Sequence, residues 1–312
     1  MKLKDLIILL HTKSVSYCYY ENNSDAENWI PIDLLKEGIR FALKNNLYIR
    51  FVYPQQDLPE NYKEIINRVK HLNIVPSDAK CDDNSIKVFS SLADFTSHSF
   101  CDEKNIILHI EFSEIEETIN QIIKKEDSFY RLDLIVDNIE SIQDSDMEKY
   151  RNTLDKLSYH IKRMYDEQKE VHINILTDRI FLHKMNNCNA GVNNLTLAPN
   201  GYFYICPAFY FNNPTDNVGN LQAGIMIKNN QLYQLDYAPI CRICDAFHCK
   251  RCVWLNKKMT LEVNTPSHEQ CIISHIERNA SKSLLDSINQ NNILIDNEIK
   301  EINYIDPFDK IK

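Results

Sequence analysis

Ten cysteines give this sequence its clearest chemical signal, because seven of them fall between residues 188 and 271. Two pairs have the spacing Cys-x2-Cys, Cys241 with Cys244 and Cys249 with Cys252, and four residues separate the pairs. Two thiolates placed two residues apart on a tight turn can bind one soft cation or cluster. The predicted metal ligands are Cys188, Cys206, Cys241, Cys244, Cys249, Cys252 and Cys271.

Seven thiol ligands exceed the four that one tetrahedral zinc ion uses. The sequence therefore predicts two metal sites, or a multi-iron cluster with spare ligands. The alternatives are buried thiols without metal and a set of disulfides. Disulfides are disfavoured because the N-terminal apolar stretch is too short for a signal peptide, which predicts a cytoplasmic protein in a reducing environment.

Charge and hydropathy exclude two classes of function. The net charge of −9 argues against nonspecific nucleic-acid binding, which needs a basic surface to displace counterions. No apolar run approaches membrane-spanning length. The 312 residues, 44% of them hydrophobic, are enough for a sizeable core.

Short apolar runs alternate with longer amphipathic stretches up to about residue 180. This alternation predicts parallel strands joined by helical crossovers, an α/β fold that suits a curved, partly closed barrel better than a large open sheet. The predicted strands lie at 5–10, 47–53, 86–90, 105–110, 132–136 and 171–176. The predicted helices lie at about 32–45, 59–71, 113–125 and 146–168, with 91–99 a weaker candidate. Functional groups in such folds follow the carboxyl ends of strands, where Cys18 lies.

The pattern changes from about residue 181. GYFYICPAFYF is typical of a hairpin-like strand, and the segment has few long periodic stretches, so we expect ligated metal to replace part of its core. Residues 274–292 are expected to form a closing helix, followed by a tail. We predict three domains: 1–180, the β/α barrel; 181–279, the cysteine-rich module; and 280–312, the C-terminal helix and tail.

The cysteine module resembles the SPASM domain, an auxiliary iron–sulfur module of many radical-SAM peptide maturases. The resemblance covers about 183–272 and includes Cys188, Gly201 with four residues between it and Cys206, and the turn Pro199-Asn200-Gly201. The spacings of four and two inside the central quartet are each one shorter than usual. The resemblance implies that Cys241, Cys244, Cys249 and Cys271 hold one [4Fe–4S] cluster. It also implies that Cys188, Cys206 and Cys252 hold part of a second, with an open position or with His183 or His248 completing it.

The N-terminal half resembles the partial (β/α)6 barrel of radical-SAM enzymes. In that family a Cys-x3-Cys-x2-Cys motif follows strand one, and Tyr17-Cys18-Tyr19-Tyr20 matches its end. The other two positions are His11 and Val15, and Tyr53-Pro54-Gln55-Gln56 stands where the family has Gly-Gly-Glu-Pro. The resemblance therefore implies a degenerate barrel without SAM-binding residues or ordinary SAM cleavage. Cys18 is a candidate catalytic thiol, and an inert, partly buried cysteine is the alternative.

Taken together, the stretches LIILL, SVSYCYYEN and FVYPQQDLP with the cysteine module resemble the CXXX-repeat peptide maturases; other pseudo-radical-SAM proteins stay possible. This resemblance implies a cysteine-rich, ribosomally made precursor peptide as partner, and one or two [4Fe–4S] clusters, with zinc as the alternative. It leaves three hypotheses: a peptide-modifying enzyme, a non-catalytic scaffold or electron-transfer partner of a separate modification protein, and a zinc-stabilised interaction module.

Four further residues have weaker chemical signals. His109 and His172 lie in predicted strands and are expected in the core or at a sheet edge. Glu111 and Asp137 lie near strand carboxyl ends, where solvated carboxylates are expected and general acid–base chemistry is the alternative.

Overall fold

A computed structural model describes residues 3–22, 24–80, 84–100, 104–289 and 298–299. Cys81, Cys101 and nearly all of the predicted tail lie outside the described residues. The described chain is mixed α/β, and most strand pairs are parallel, as the sequence predicts. None of its helices has the length and apolar character needed to cross a membrane.

The strands in chain order are β1 Asp5–Leu9, β2 Tyr48–Val52, β3 His71–Pro76, β4 Ser85–Phe89, β5 Asn105–Ile110, β6 Arg131–Val136, β7 His172–Ile173, β8 Asn194–Leu197, β9 Phe203–Tyr204, β10 Gly219–Asn220 and β11 Gly224–Ile225. The α-helices in chain order are α1 Ile32–Lys44, α2 Glu60–Ile66, α3 Leu92–Ser97, α4 Ile115–Lys124, α5 Asp146–Asp166, α6 Asp178–Phe181, α7 Pro207–Asn212, α8 Val253–Thr260 and α9 His268–Asn289.

The chain forms two compact units, each built from two separate segments. Unit 1 comprises Met1–Ser90 and Asn189–Tyr237, and unit 2 comprises Ser91–Cys188 and Ala238–Lys312. The two units are defined by the contacts between residues, whereas the three predicted domains are defined by the residue pattern of the sequence. The predicted boundaries at 180/181 and 279/280 stay predictions.

Unit 1 is organised around β1, which is parallel to β2 on one side and to β8 on the other. Asp5 pairs with Tyr48 and with Asn194, and β3 and β4 extend the sheet beyond β2. A central parallel strand is buried on both faces, which explains the continuous apolar run LIILL. The β8–β9 hairpin is antiparallel, as expected for the GYFYICPAFYF segment.

Helix α1 packs closely on this sheet. Its buried residues, Leu35, Gly38, Ile39 and Ala42, recur every three or four positions and form one face. Glycine at position 38 permits the close approach, because a Cβ there would lie only 2.5 Å from the Leu197 Cδ2 atom. The same core includes Phe51 and Phe203, and both are fully buried.

Unit 2 contains the parallel strands β5, β6 and β7, with α5 and α9 packed against each other. Side chains alternate between faces along a strand, so Arg131, Asp133 and Asp137 of the β6 segment share a face with His109 of β5. The opposite face of β6 carries Leu132, Leu134 and Val136 and is apolar.

Two predicted elements differ from the structure. The predicted helix at 59–71 ends at Ile66, and β3 follows, a strand that sequence patterning missed because its polar residues, His71 and Asn73, interrupt the apolar run. The predicted strand 171–176 stops at Ile173. There the Asn174 carboxamide takes over the pairing, because it accepts from Leu134 N at 2.8 Å and donates to Leu134 O at 2.9 Å.

A glycine pair in the β10–β11 hairpin provides a test of local packing. Both residues have positive φ, +116° at Gly219 and +83° at Gly224. A Cβ at Gly219 would lie 2.0 Å from Gly224 O, whereas a Cβ at Gly224 meets no atom within 4 Å. We expect Gly224→Ala to lower the free energy of unfolding by about 1–2 kcal/mol from backbone strain alone, and Gly219→Ala to lower it more. Urea unfolding measures both, and equal losses would contradict the packing argument.

Acid sensitivity is predicted from Asp133. Burial favours its neutral form, but Lys250 at 3.1 Å and Arg131 at 2.6 Å outweigh this and hold the pKa of its carboxyl below the ordinary value. A carboxylate with a lowered folded-state pKa stabilises the protein above its ordinary pKa, and that stabilisation disappears as pH falls through the folded-state value.

We therefore expect Asp133→Asn to cost about 1–3 kcal/mol of unfolding free energy at pH 7 and progressively less below about pH 4. Urea unfolding across this pH range measures the difference. Asp127→Asn, which removes an exposed partner of Lys169, is the control with little expected effect. A penalty for Asp133→Asn that does not change with pH would contradict the assignment.

Candidate metal centre

The segment from Cys241 to Cys252 is irregular, and its cysteines are placed by the short elements around it. Cys241 begins a single 3₁₀ turn, Cys241–Ile243. Cys252 precedes α8, and its Sγ atom accepts from Leu255 N at 3.4 Å, so a thiol caps the helix. Cys271 lies in the first turn of α9.

Asp245 anchors this cysteine segment to the helices of unit 2. Its carboxylate accepts from Arg278 Nε and Nη2 at 3.0 and 2.8 Å. Its backbone carbonyl accepts from Arg179 Nε at 2.6 Å, and the Arg179 guanidinium lies 4.3 Å from the centre of the Phe247 ring. Both arginine side chains are buried. The loop between the two Cys-x2-Cys pairs is therefore held by a buried, charged cluster.

Burial keeps the thiols of this segment protonated in the metal-free protein. It raises the pKa of Cys241 to about 11 and that of Cys244 to about 12. Cys244 Sγ lies 3.4 Å from His275 Nε2 on α9 and accepts from Ala246 N at 3.4 Å. Metal binding would deprotonate these thiols and release their protons.

Cys249 faces one side of α9. Burial raises the pKa of its thiol, and hydrogen bonds involving Ser274 and Gln270 oppose that rise. The Glu277 carboxylate acts on the same thiol and raises its pKa. Since Gln270, Ser274 and Glu277 are spaced by four and three residues, they line a single face of the helix.

Arg251 is the largest fully buried side chain in the described residues, with 1% of its surface exposed, and its backbone is left-handed with φ +42°. Burial lowers the pKa of its guanidinium, and the nearby groups that favour its charge are Cys241, Cys188 and Cys249. A buried guanidinium remains charged and needs a negative partner. Thiolates formed on metal binding would supply that charge, so these residues suit a thiolate-bound metal centre.

The predicted ligands are divided between the two units. Cys188, Cys241, Cys244, Cys249, Cys252 and Cys271 belong to unit 2, whereas Cys206 belongs to unit 1. Within the described ranges, no three histidine, cysteine or acidic side chains are arranged so that they could hold one metal ion. The assignment of ligands to clusters therefore stays a prediction.

The two histidines proposed to complete the second cluster differ. His183 is exposed, whereas His248 is buried, with 6% of its surface exposed. His248 Nε2 lies 3.0 Å from Glu277 Oε2, and Glu277 Oε1 accepts from the Tyr150 hydroxyl at 2.6 Å.

Cys18 lies half-buried in unit 1, in the loop after β1. Its carbonyl accepts from Tyr20 N at 2.7 Å, and the Tyr20 ring stacks on Phe211 of α7 at 5.5 Å. Burial raises the pKa of Tyr20, and Cys18 and Cys206 both contribute to the rise. The structure therefore places Cys18 and Cys206 in the same part of unit 1, which sequence spacing did not indicate. A catalytic role for Cys18 stays a prediction.

The rest of the loop after β1 is tied by hydrogen bonds. His11 is fully buried, its Nε2 lies 2.9 Å from the Gln56 carboxamide, and its Nδ1 accepts from Lys13 N at 3.0 Å. Ser14 Oγ lies 2.8 Å from Val52 O. Both ring nitrogens of His11 therefore have hydrogen-bond partners within this chain. One of these partners, Gln56, belongs to the segment 53–56, where the resemblance predicts SAM-binding residues.

A histidine–carboxylate pair that sequence reasoning did not connect lies in unit 2. His109 Nδ1 is 2.7 Å from Asp137 Oδ1, and its buried Nε2 has no hydrogen-bond partner among the described residues. The parallel register brings the carboxyl ends of β5 and β6 together, and this register was not visible in the sequence. Glu111 instead forms a capping box with Glu114, which is a structural role. His172 lies 3.0 Å from the Tyr130 hydroxyl.

The Asp245 anchor leads to a stability prediction. Asp245→Ala removes the carboxylate that Arg278 binds and that lies 3.6 Å from Arg179 Nη2, and breaking such a buried pair costs about 3–5 kcal/mol. We expect a loss of that size in urea unfolding of the metal-free protein. Asp286→Ala, which removes the exposed partner of Lys282 on α9, is expected to change the free energy of unfolding by less than about 0.5 kcal/mol. Equal effects of the two substitutions on the free energy of unfolding would show that the Asp245 anchor does not stabilise the fold.

The sequence matches no protein-family model, and no curated protein matches it significantly. Solved structures match in fold. Hexahistidine-tagged anSMEcpe with bound AdoMet has a TM-score of 0.64 at 14% identity, over 94% of this chain and 96% of that one. Native anSMEcpe with AdoMet and the Kp18Cys peptide has a TM-score of 0.62 at 14% identity, over 92% and 99%. Native anSMEcpe with AdoMet and the Cp18Cys peptide has a TM-score of 0.61 at 14% identity, over 93% of this chain and 100% of that one.

These structures are of an anaerobic sulfatase-maturating enzyme of the radical-SAM/SPASM class. At 14% identity the likeness establishes the fold. The prediction of a radical-SAM-like α/β architecture is therefore confirmed.

Proposed function

We propose that this chain is a maturation protein for a ribosomally synthesised, cysteine-repeat peptide. It binds or modifies the precursor with a metal or iron–sulfur module and without ordinary SAM cleavage. The observation that carries the proposal is the set of three thiols around buried Arg251. Such a buried cation favours metal-bound thiolates over neutral thiols. The fold agrees, because the structural neighbour has been solved with cysteine-containing peptides.

The absence of ordinary radical chemistry is supported by the loop after β1. A SAM-binding cluster needs three thiolates there, and this chain offers Cys18 with His11 and Val15 in the other two positions. His11 is held by Gln56 and by the Lys13 amide, so its nitrogens serve the loop itself. The barrel in this proposal therefore positions a peptide, and the chemistry belongs to the cysteine module or to Cys18.

In the cysteine module, Cys241, Cys244, Cys249 and Cys271 would hold one cluster, and Cys188, Cys206 and Cys252 would contribute to a second. A bound [4Fe–4S] cluster supplies one-electron redox chemistry. The residues of this chain hold the loop through Asp245, shield the thiols through α9 and balance their charge through Arg251. Two alternatives stay open: a scaffold or electron-transfer partner of a separate modification protein, and a zinc-stabilised interaction module.

Anaerobic purification with iron, sulfide and zinc analysis tests the metal module. We expect about eight irons with matching sulfide if two [4Fe–4S] clusters are present, and about four if one is present. A Cys241→Ser/Cys244→Ser variant is expected to lose one cluster. Zinc without iron would favour the interaction module, and a metal-free, folded protein would refute the metal-centre proposal.

Binding of a synthetic Cys-x-x-x repeat peptide, with a Ser-x-x-x repeat as control, tests the substrate class. Fluorescence anisotropy is expected to show selective binding of the cysteine peptide. Mass spectrometry after reduction of the clusters then distinguishes an enzyme, which changes the peptide mass, from a scaffold, which binds the peptide unchanged. Equal affinity for both peptides would contradict the proposed substrate.

A further inference from the structure

A histidine–carboxylate pair lies where two adjacent parallel strands of unit 2 end. His109 is in β5 and Asp137 directly follows β6, with 2.7 Å between His109 Nδ1 and Asp137 Oδ1. Only 6% of the His109 side chain is exposed, against 25% of the Asp137 side chain. Asp137 N also donates to Ile110 O at 3.0 Å, so the pairing of the two strands continues as far as the carboxylate. The pair therefore lies just below the surface, at the strand edge where parallel folds place functional groups.

The imidazole of His109 lies among apolar side chains. Ile107, two residues earlier on β5, and Ile135, its register partner on β6, share its face of the sheet, and both are buried. Neither side chain can form a hydrogen bond with the ring. In such surroundings the charge of a nearby carboxylate is weakly screened, so Asp137 acts strongly on the imidazole.

Asp137 determines which ring nitrogen carries the proton. An ionised carboxylate only accepts hydrogen bonds, so the proton of the neutral imidazole belongs on Nδ1. A proton on Nε2 would be a buried donor without an acceptor in the described part of the chain, which costs about 1–3 kcal/mol. Nε2 therefore presents a lone pair, and this tautomer is assigned from the contact at Nδ1.

This order of groups is the one in which an imidazole accepts a proton from a substrate. The carboxylate orients the ring and stabilises the imidazolium that forms, and the opposite nitrogen receives the proton. Buried polar atoms are normally hydrogen-bonded, so the unbonded Nε2 distinguishes His109 from a histidine that only packs in the core. His11 in unit 1 shows the structural pattern, because both of its ring nitrogens have partners.

We infer that His109 accepts, through Nε2, the proton of a cysteine thiol of the bound peptide, and that Asp137 is the residue that positions it. The S–H bond breaks, an Nε2–H bond forms and the electron pair stays on sulfur, so this step needs no oxidant or reductant. A cysteine thiol is only a few per cent ionised at pH 7, which is why a base is useful.

This inference rests on the proposed function and names a residue that acts on its substrate. The sequence offered the Asp137 carboxylate for acid–base chemistry and placed His109 in the core, whereas here the imidazole is the base and the carboxylate supports it. The step prepares a thiolate, and any further reaction of that thiolate stays with the cysteine module or Cys18.

The first test uses the full, ligand-free chain with ¹⁵N-labelled histidine. NMR spectra that correlate ring nitrogens with ring protons distinguish a protonated from an unprotonated nitrogen. We expect a proton on Nδ1 of His109 and none on Nε2, with the signal assigned by its loss in His109→Gln. If that variant does not fold, the shift of the same signal in Asp137→Asn assigns it. A proton on Nε2 would overturn the inference without involving the peptide.

The second test adds the Cys-x-x-x repeat peptide, with the Ser-x-x-x repeat as control. The cysteine peptide is expected to protonate Nε2 of His109, whereas the serine peptide is not, because a hydroxyl is far less acidic than a thiol. With ¹³C at the cysteine Cβ, the thiolate fraction of the bound cysteine is expected to rise about tenfold or more from its few per cent at pH 7. Bound peptide whose thiols stay protonated would overturn this inference and leave the proposed function intact. A cysteine peptide that does not bind would overturn both.

Variants separate the base from the residue that positions it. His109→Gln is expected to bind the cysteine peptide and to lose the thiolate signal. Asp137→Asn is expected to reduce the thiolate fraction and Asp137→Glu to restore it, a rescue that a purely structural role does not predict. His172→Gln is the matched control, because His172 lies in the same unit with its Nε2 3.0 Å from the Tyr130 hydroxyl. Equal thiolate fractions in the wild type and His109→Gln would also overturn the inference.

Discussion

The shared carboxylate of Asp245 is the interaction on which the cysteine module depends. Residues 241–252 have almost no regular structure, so backbone pairing does not fix the positions of their thiols. Arg179 and Arg278, which flank residues 241–252 in sequence, both bind one loop residue, Asp245, instead. Replacing a buried ion pair by apolar side chains is often neutral or stabilising, whereas removing one of its partners is strongly destabilising. Fixing the loop in this way lowers the entropic cost of bringing its cysteines together.

The loop after β1 and the cysteine segment of unit 2 differ in the contacts that their side chains make. In the loop after β1, hydrogen bonds of Ser14, His11 and Asn22 fix the conformation of the chain. In unit 2 the thiols of Cys188, Cys241 and Cys249 instead interact with the buried Arg251 guanidinium. The first region therefore relies on hydrogen bonds, whereas the second places thiols beside a buried charge.

Sequence patterning predicted the parallel α/β fold because buried strands such as LIILL and long amphipathic helices leave strong periodic signals. It missed β3, whose Asn73 is buried despite its polarity. It also made the strand that begins near residue 172 too long, because the Asn174 side chain forms the hydrogen bonds to Leu134 that a strand backbone would otherwise form. The cysteine spacing identified candidate ligands, whereas their partners came from distant positions. Tyr150 and Glu277, or His109 and Asp137, meet only because of helix packing and strand register, which no local pattern encodes.

The pairing of β1 with β8 has a consequence for biosynthesis. Asp5 pairs with Asn194, so β1 finds its second neighbour only after the segment Ser91–Cys188 of unit 2 has been translated. Contacts this distant in sequence slow folding, because a long loop must close before they form. Until then an apolar strand has one open edge, which is a site for mispairing with other chains. The nascent chain is therefore expected to depend on chaperones more than its helical content alone would suggest.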